Sequence, residues 1–315
     1  MRALLVDERG VRLRDDVPAP TPEEGEVRVR VSKVGLCSTD LALARGYMGF
    51  RGVPGHEFVG VALEGALRGR RVVGEINAAC GCCPTCLAGG DRHCPRRSVL
   101  GILGRPGALA EELRLPARNL REVPDSVGDD AAVFTEPLAA ALALAEACAL
   151  VPGARALVVG DGKLGLLCAH VLARAGLAVT LAGRHPERNG LTGVVVEHVG
   201  PLERSGGGFD LAVEASGDPD ALPALLPRVR PRGTVVLKST TERATRVELA
   251  PLVVDELRLV GSRCGRFEPA LAVLASGTIT VERLIVARYA LSDAERAFEH
   301  AARRGTLKVL IEVHP

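Results

Sequence analysis

The stretch ALVVGDGKLGLL (156–167) decides how the second half of this chain folds. A short apolar run ends at Gly160 and reads as a buried strand, and Lys163 to Ala175 then reads as a helix. Between them Gly160, Gly162 and Gly165 have the spacing G-x-G-x-x-G. At such a junction the first glycine permits a tight turn. The second lets backbone approach a pyrophosphate, and the third allows helix to pack closely on strand. The helix N-terminus then faces the anion. Lys163 and Leu164 lie inside this loop and belong to the expected cofactor contacts. They do not make it a P-loop: the spacing is wrong, and Leu164 stands where a hydroxyl would hold magnesium. A dinucleotide is therefore expected on Gly160, Gly162, Lys163, Leu164 and Gly165.

The next strand ends in VTLAGRHPER (179–188). Enzymes that use NAD place a carboxylate at that strand end to bond the ribose 2′-hydroxyl. Here the position falls on Gly183, followed by Arg184. An arginine there can bind a 2′-phosphate through its planar donors. NADP is expected to be preferred, with NAD still used.

Outward from this motif, FDLAVEAS (209–216), GTVVLKS (233–239) and LRLVGSR (257–263) are further strands, with a short helix over 220–229 and a long one over 138–149. Alternation of strands and helices implies a doubly wound parallel sheet. Upstream the pattern differs. ALLVDERGVRL (3–13) reads as two strands around a turn, and VRVRVSKVGLC (27–37) alternates with period two. Recurrent Pro and Gly suit a β-barrel.

Net charge is +2 from 40 basic and 38 acidic residues, which disfavours a nucleic-acid binder. Aromatics at 3% leave little for a base-stacking platform. The opening MRALLVDERG does not resemble a signal peptide. The apolar run from Leu138 to Val151 carries Glu146 and is too short to span a bilayer. A cytoplasmic protein is expected, with no membrane or nucleic-acid partner.

Five of nine cysteines lie between 80 and 94. Cys80, Cys83, Cys86 and Cys94 give four thiolates on one loop, the donor set of a closed structural zinc site. Cys82 is surplus, and His93 is expected to be exposed.

The glycine loop and this cysteine loop, together with GLCSTD (35–40), GHE (55–57) and TEPLA (135–139), resemble the zinc-containing medium-chain dehydrogenase/reductase family. The likeness is greatest to its sorbitol and threonine dehydrogenase-like branch. It implies an α/β plus β architecture: a GroES-like β-barrel catalytic domain (1–137), a Rossmann domain (138–264), and a return to the catalytic domain (265–315). By resemblance, Cys37, His56 and Glu136 are ligands of a catalytic zinc and Glu57 is its acidic neighbour. Thr39 is the hydroxyl of a proton relay, and Asp40 gives structural support. A histidine that ends the relay in some relatives is Ala42 here. The region after Arg188 is shorter than the family pattern and lacks most of one helix. The implied activity is zinc-dependent hydride transfer between an alcohol or polyol and a nicotinamide cofactor, in a homodimer or homotetramer. Two alternatives stand beside it: a non-catalytic zinc-binding relative with a dinucleotide-binding or regulatory role, and a zinc ribbon for nucleic acid.

Overall fold

Val27, Val29 and Val31 are buried, while Arg28 and Arg30 turn outward on the alternate positions. That period places one face of strand Glu26–Gly35 on a core. Arg28 meets Glu64 and Glu112 on the other face. The computed structural model describes residues 1–240 and 243–314, and divides the chain into two units.

The first unit comprises residues 1–136, 270–275 and 285–315. Its central strand, Glu26–Gly35, pairs with Glu57–Ala62, Glu112–Pro116 and Lys308–Glu312 in a seven-stranded sheet. A separate hairpin joins Ala3–Asp7 to Gly10–Arg14. The strand pairings carry the chemistry: Gly35 lies opposite both Glu57 and Leu310. Three segments distant in sequence thus meet at the end where Cys37 begins a helix.

The second unit comprises residues 137–269 and 276–284. Its six strands run in the order 197–200, 178–182, 155–159, 209–214, 229–237 and 258–261, every neighbouring pair parallel. In chain order this is 3-2-1-4-5-6, the doubly wound arrangement of dinucleotide-binding sheets. Leu157, Val158, Ala212, Val213, Val235 and Val236 are fully buried, as strands covered on both faces must be. The order reverses beside Arg155–Val159, so the crevice opens at its carboxyl end, where the glycine loop lies.

One local expectation is modified and another is met. The helix expected over 138–149 is two pieces, Thr135–Leu142 and Leu144–Ala147. The connection from strand Ala178–Ala182 to Glu197–Gly200 carries one 3-10 turn, Pro186–Arg188. Among the described residues, no helix is long and apolar enough to cross a membrane.

Candidate active site and metal centres

The loop from Cys80 to Cys94 closes on itself. Cys83 begins the short helix Pro84–Leu87, and the 3-10 turn Asp91–His93 delivers Cys94. Sulfur to sulfur distances are 3.9 Å for Cys80–Cys86, 3.4 Å for Cys83–Cys86, 3.8 Å for Cys83–Cys94 and 3.5 Å for Cys80–Cys94. A zinc tetrathiolate with bonds of about 2.3 Å has edges of about 3.8 Å, so the four sulfurs fit that ion. Cys80 is lowered to about 5, chiefly by the Cys82 backbone N–H, while burial and its sulfur neighbours push Cys86 up to about 12. Adjacent thiolates resist joint ionisation unless a cation lies between them. Cys82 stays exposed and takes an Arg96 guanidinium N–H at 3.2 Å. His93 is exposed and outside the cluster.

A second cluster is assembled from separate strands and a helix. Ligand atoms of Cys37, His56 and Glu57 lie within 4.8 Å of one another. Cys37 caps helix Ser38–Ala44, and its N–H donates to Asp40 at 2.9 Å. Asp40 also accepts the Gly55 N–H at 3.0 Å, and its other contact is His56 Nδ1 at 3.2 Å. One buried carboxylate thus fixes the backbone on both sides of the cluster and faces the imidazole, the placement that supporting carboxylates take in metal sites. Burial alone would push His56 down, yet Asp40 and Cys37 hold its imidazole well above the ordinary value.

Thr39 lies on the first turn of the same helix. The Cys37 sulfur is 3.8 Å from its hydroxyl. Glu136 is half-buried in the first turn of Thr135–Leu142 and lies outside the group formed by Cys37, His56 and Glu57. Glu57, expected as the acidic neighbour, itself offers a ligand atom within this group. Glu57 is buried and bonded to the fully buried ammonium of Lys308, which also faces the Phe134 ring at 5.3 Å. Tyr47 and Phe50 are half-buried, whereas Met48 is exposed with a φ of 58°.

In the second unit the glycines behave as their spacing requires. Gly160 has a φ of +110°, in the region that favours glycine, and a side chain there would strike Ala215 backbone at 2.8 Å. At Gly165 a β-carbon would lie 1.8 Å from the Gly160 carbonyl oxygen. Gly162 begins helix Lys163–Arg174, and a β-carbon there meets nothing within 4 Å. The space in front of the helix N-terminus is thus open to a phosphate group. Lys163 and Leu164 are half-buried at the first helical positions. Arg184 is exposed, with Asp218 4.0 Å away. Gly183 is not beside empty space. A β-carbon there would lie 2.2 Å from Cγ of Asp161. A carboxylate does stand at this strand end, contrary to the expectation drawn from Gly183.

Comparison with known proteins follows this geometry. Residues 23–125 match the alcohol dehydrogenase GroES-like domain, and residues 129–313 match the glucose dehydrogenase C-terminus. The chain belongs to the zinc-containing medium-chain dehydrogenase/reductase family. L-threonine 3-dehydrogenase of Streptomyces coelicolor is 33% identical over 99% of both chains. A zinc-binding dehydrogenase from Sinorhizobium meliloti 1021, solved with NADP, has a TM-score of 0.88 at 26% identity over 99% of each chain. An alcohol dehydrogenase from E. coli CFT073, solved with NADH, has a TM-score of 0.88 at 27% identity over 99% of each. As a member of this family the chain is an NAD(P)-dependent, zinc-using oxidoreductase of the alcohol and polyol dehydrogenases.

Lys308 was not legible as a site residue, but it left a signal. The chain has four lysines (33, 163, 238 and 308) among 40 basic residues. Two of them, Lys238 and Lys308, are buried. Lys238 donates to the Ala140 carbonyl at 2.6 Å and to Ser262 Oγ at 3.0 Å. Each ammonium is a compact point charge with three donors, which these enclosed positions supply with oxygen acceptors. Rarity of lysine is a partial signal only, since Lys33 and Lys163 are half-buried.

Proposed function

We propose that this dehydrogenase interconverts a primary or secondary alcohol, or a polyol, with its carbonyl compound. In this reading Cys37, His56 and Glu136 hold the catalytic zinc, with Glu57 beside it, and Cys80, Cys83, Cys86 and Cys94 hold the structural zinc. The convergence of Cys37 and His56 over the buried Asp40 carries the reading. When bound, zinc supplies a Lewis acid for the substrate oxygen, and the nicotinamide supplies or accepts the hydride.

The chain's own residues do the rest. Asp40 keeps the imidazole oriented and the Cys37 backbone fixed. Lys308 holds Glu57 and sets a positive charge against it in a buried place. The Thr39 hydroxyl accepts the proton leaving the alcohol and passes it on. With Ala42 in place of a relay histidine, that proton leaves by water or by the cofactor ribose. Gly160, Gly162, Lys163, Leu164 and Gly165 present the helix N-terminus to the pyrophosphate, and Gly183 and Arg184 border the adenosine ribose.

A second arrangement, with Glu57 as third ligand, is favoured by its place within the cluster. Zinc analysis decides between them: Glu136→Gln loses the catalytic ion under the first arrangement, and Glu57→Gln under the second. The reading as a whole is tested with L-threonine, simple alcohols and sugar alcohols, each with NAD and NADP, following reduced nicotinamide absorbance. Nucleotide binding by the zinc-loaded protein without turnover of any substrate in this panel would leave the non-catalytic relative standing. A cytoplasmic homodimer or homotetramer is part of the proposal, supported by the family resemblance and tested by sedimentation and cell fractionation.

A further inference from the structure

We infer that Asp161, inside the glycine loop, supplies the ribose-binding carboxylate that Gly183 cannot, and that it directs cofactor choice towards NAD. This rests on the dinucleotide-binding reading of the second unit. Four observations place the carboxylate. It fills the volume of a side chain at Gly183: a β-carbon there would lie 2.3 Å from Oδ2 and 2.2 Å from Cγ. The His185 N–H donates to Oδ2 at 2.5 Å. Arg188 donates to the Asp161 carbonyl at 3.1 Å and lies 3.9 Å from Oδ1. His198 Nδ1 accepts the Gly200 N–H at 3.2 Å, which makes Nε2 the protonated nitrogen. That Nε2 is buried, lacks a hydrogen-bond partner and faces Asp161 Oδ2 at 3.6 Å.

These contacts hold a carboxylate where the second strand of a dinucleotide fold ends, the place at which the adenine ribose is held. The residue that carries it has moved in sequence, from the strand end to the loop. Glycine at 183 is then a steric requirement of Asp161 and not the loss of an acid. A carboxylate accepts from a 2′-hydroxyl and repels a 2′-phosphate, which carries close to two negative charges. Arg184 does not reverse this, because its guanidinium leans towards Asp218.

The test is calorimetric titration of the zinc-loaded protein with NAD and NADP, which reads binding without turnover. NAD should bind about tenfold or more tightly than NADP, the scale of one charge-assisted hydrogen bond. Asp161→Asn should weaken NAD by a similar factor and leave NADP unchanged or tighter. Should that variant fail to fold, the parent is titrated with ADP-ribose and its 2′-deoxy analogue, and removal of the hydroxyl should cost about tenfold. An intact protein that prefers NADP, a 2′-deoxy analogue that binds equally well, or an Asp161→Asn variant that weakens both nucleotides alike would each overturn the inference. Those results leave the dehydrogenase reading intact, whereas binding of neither nucleotide removes both.

Discussion

The two thiol clusters of the first unit are built in opposite ways. Cys80, Cys83, Cys86 and Cys94 lie on one loop, and short helical turns bring the sulfurs together. Cys37, His56 and Glu57 come from a helix N-terminus and a strand start, held in place by a lysine 251 positions from Glu57. In the first cluster a single loop supplies every donor. In the second the chain is organised by its own hydrogen bonds, and Asp40 takes two backbone N–H groups besides facing His56. A closed loop of thiolates is thus expected to be stability that depends on zinc. The open cluster is expected to be chemistry that depends on the fold.

The largest effect should separate these roles. Cys86→Ala should lose one of about two zinc ions per chain. Structural zinc contributes on the order of 10 kcal/mol in small zinc-dependent folds, so the melting temperature should fall by roughly 10 °C or more. Cys37→Ala should lose the other ion and all activity while melting near the parent. Equal destabilisation by both variants would erase the distinction.

Next comes the buried pair that frames the open cluster. Lys308→Met leaves the Glu57 carboxylate uncompensated, at a cost of about 3–5 kcal/mol. Denaturant unfolding should show this, and Glu57→Gln on the same background should recover most of it. If the double variant recovers nothing, Lys308 acts through packing against Phe134.

A smaller effect sharpens the chemistry. Thr39→Val should slow alcohol oxidation by about 10²-fold or more if the hydroxyl moves the proton. Thr39→Ser should keep much of the rate, and cofactor binding should not change. A parent-like rate for Thr39→Val, measured where hydride transfer is limiting, would make Thr39 a turn residue only.

The smallest concerns Asp40. Asp40→Asn keeps its shape but loses the charge that faces His56, and zinc affinity at the open cluster should fall by about 10–100-fold. Zinc retention during dialysis against a graded chelator measures it. The cysteine loop serves as internal control, because its zinc should be retained unchanged.

Sequence by itself determined what depends on near neighbours. The strand–glycine–helix motif sets three positions within one turn, and the structure shows close packing at Gly160 and Gly165 with open space at Gly162. Four cysteines at short spacings on one loop need only local turns to meet, and the short helical turns supply them. Alternation in 27–37 fixed which face of the strand is buried. These readings hold because the forces involved act over a few residues. Only the tertiary structure decided the long-range meetings. Strand Lys308–Glu312 pairs beside Gly35 and so sets an ammonium against Glu57. The parallel pairing of 155–159 with 178–182 sets Asp161 against Gly183. Burial makes the Lys308–Glu57 pairing exclusive, since an unpaired charge in low dielectric is costly. Which charge meets which depends on strand order and register, and these follow from the whole sheet's burial and not from any single segment.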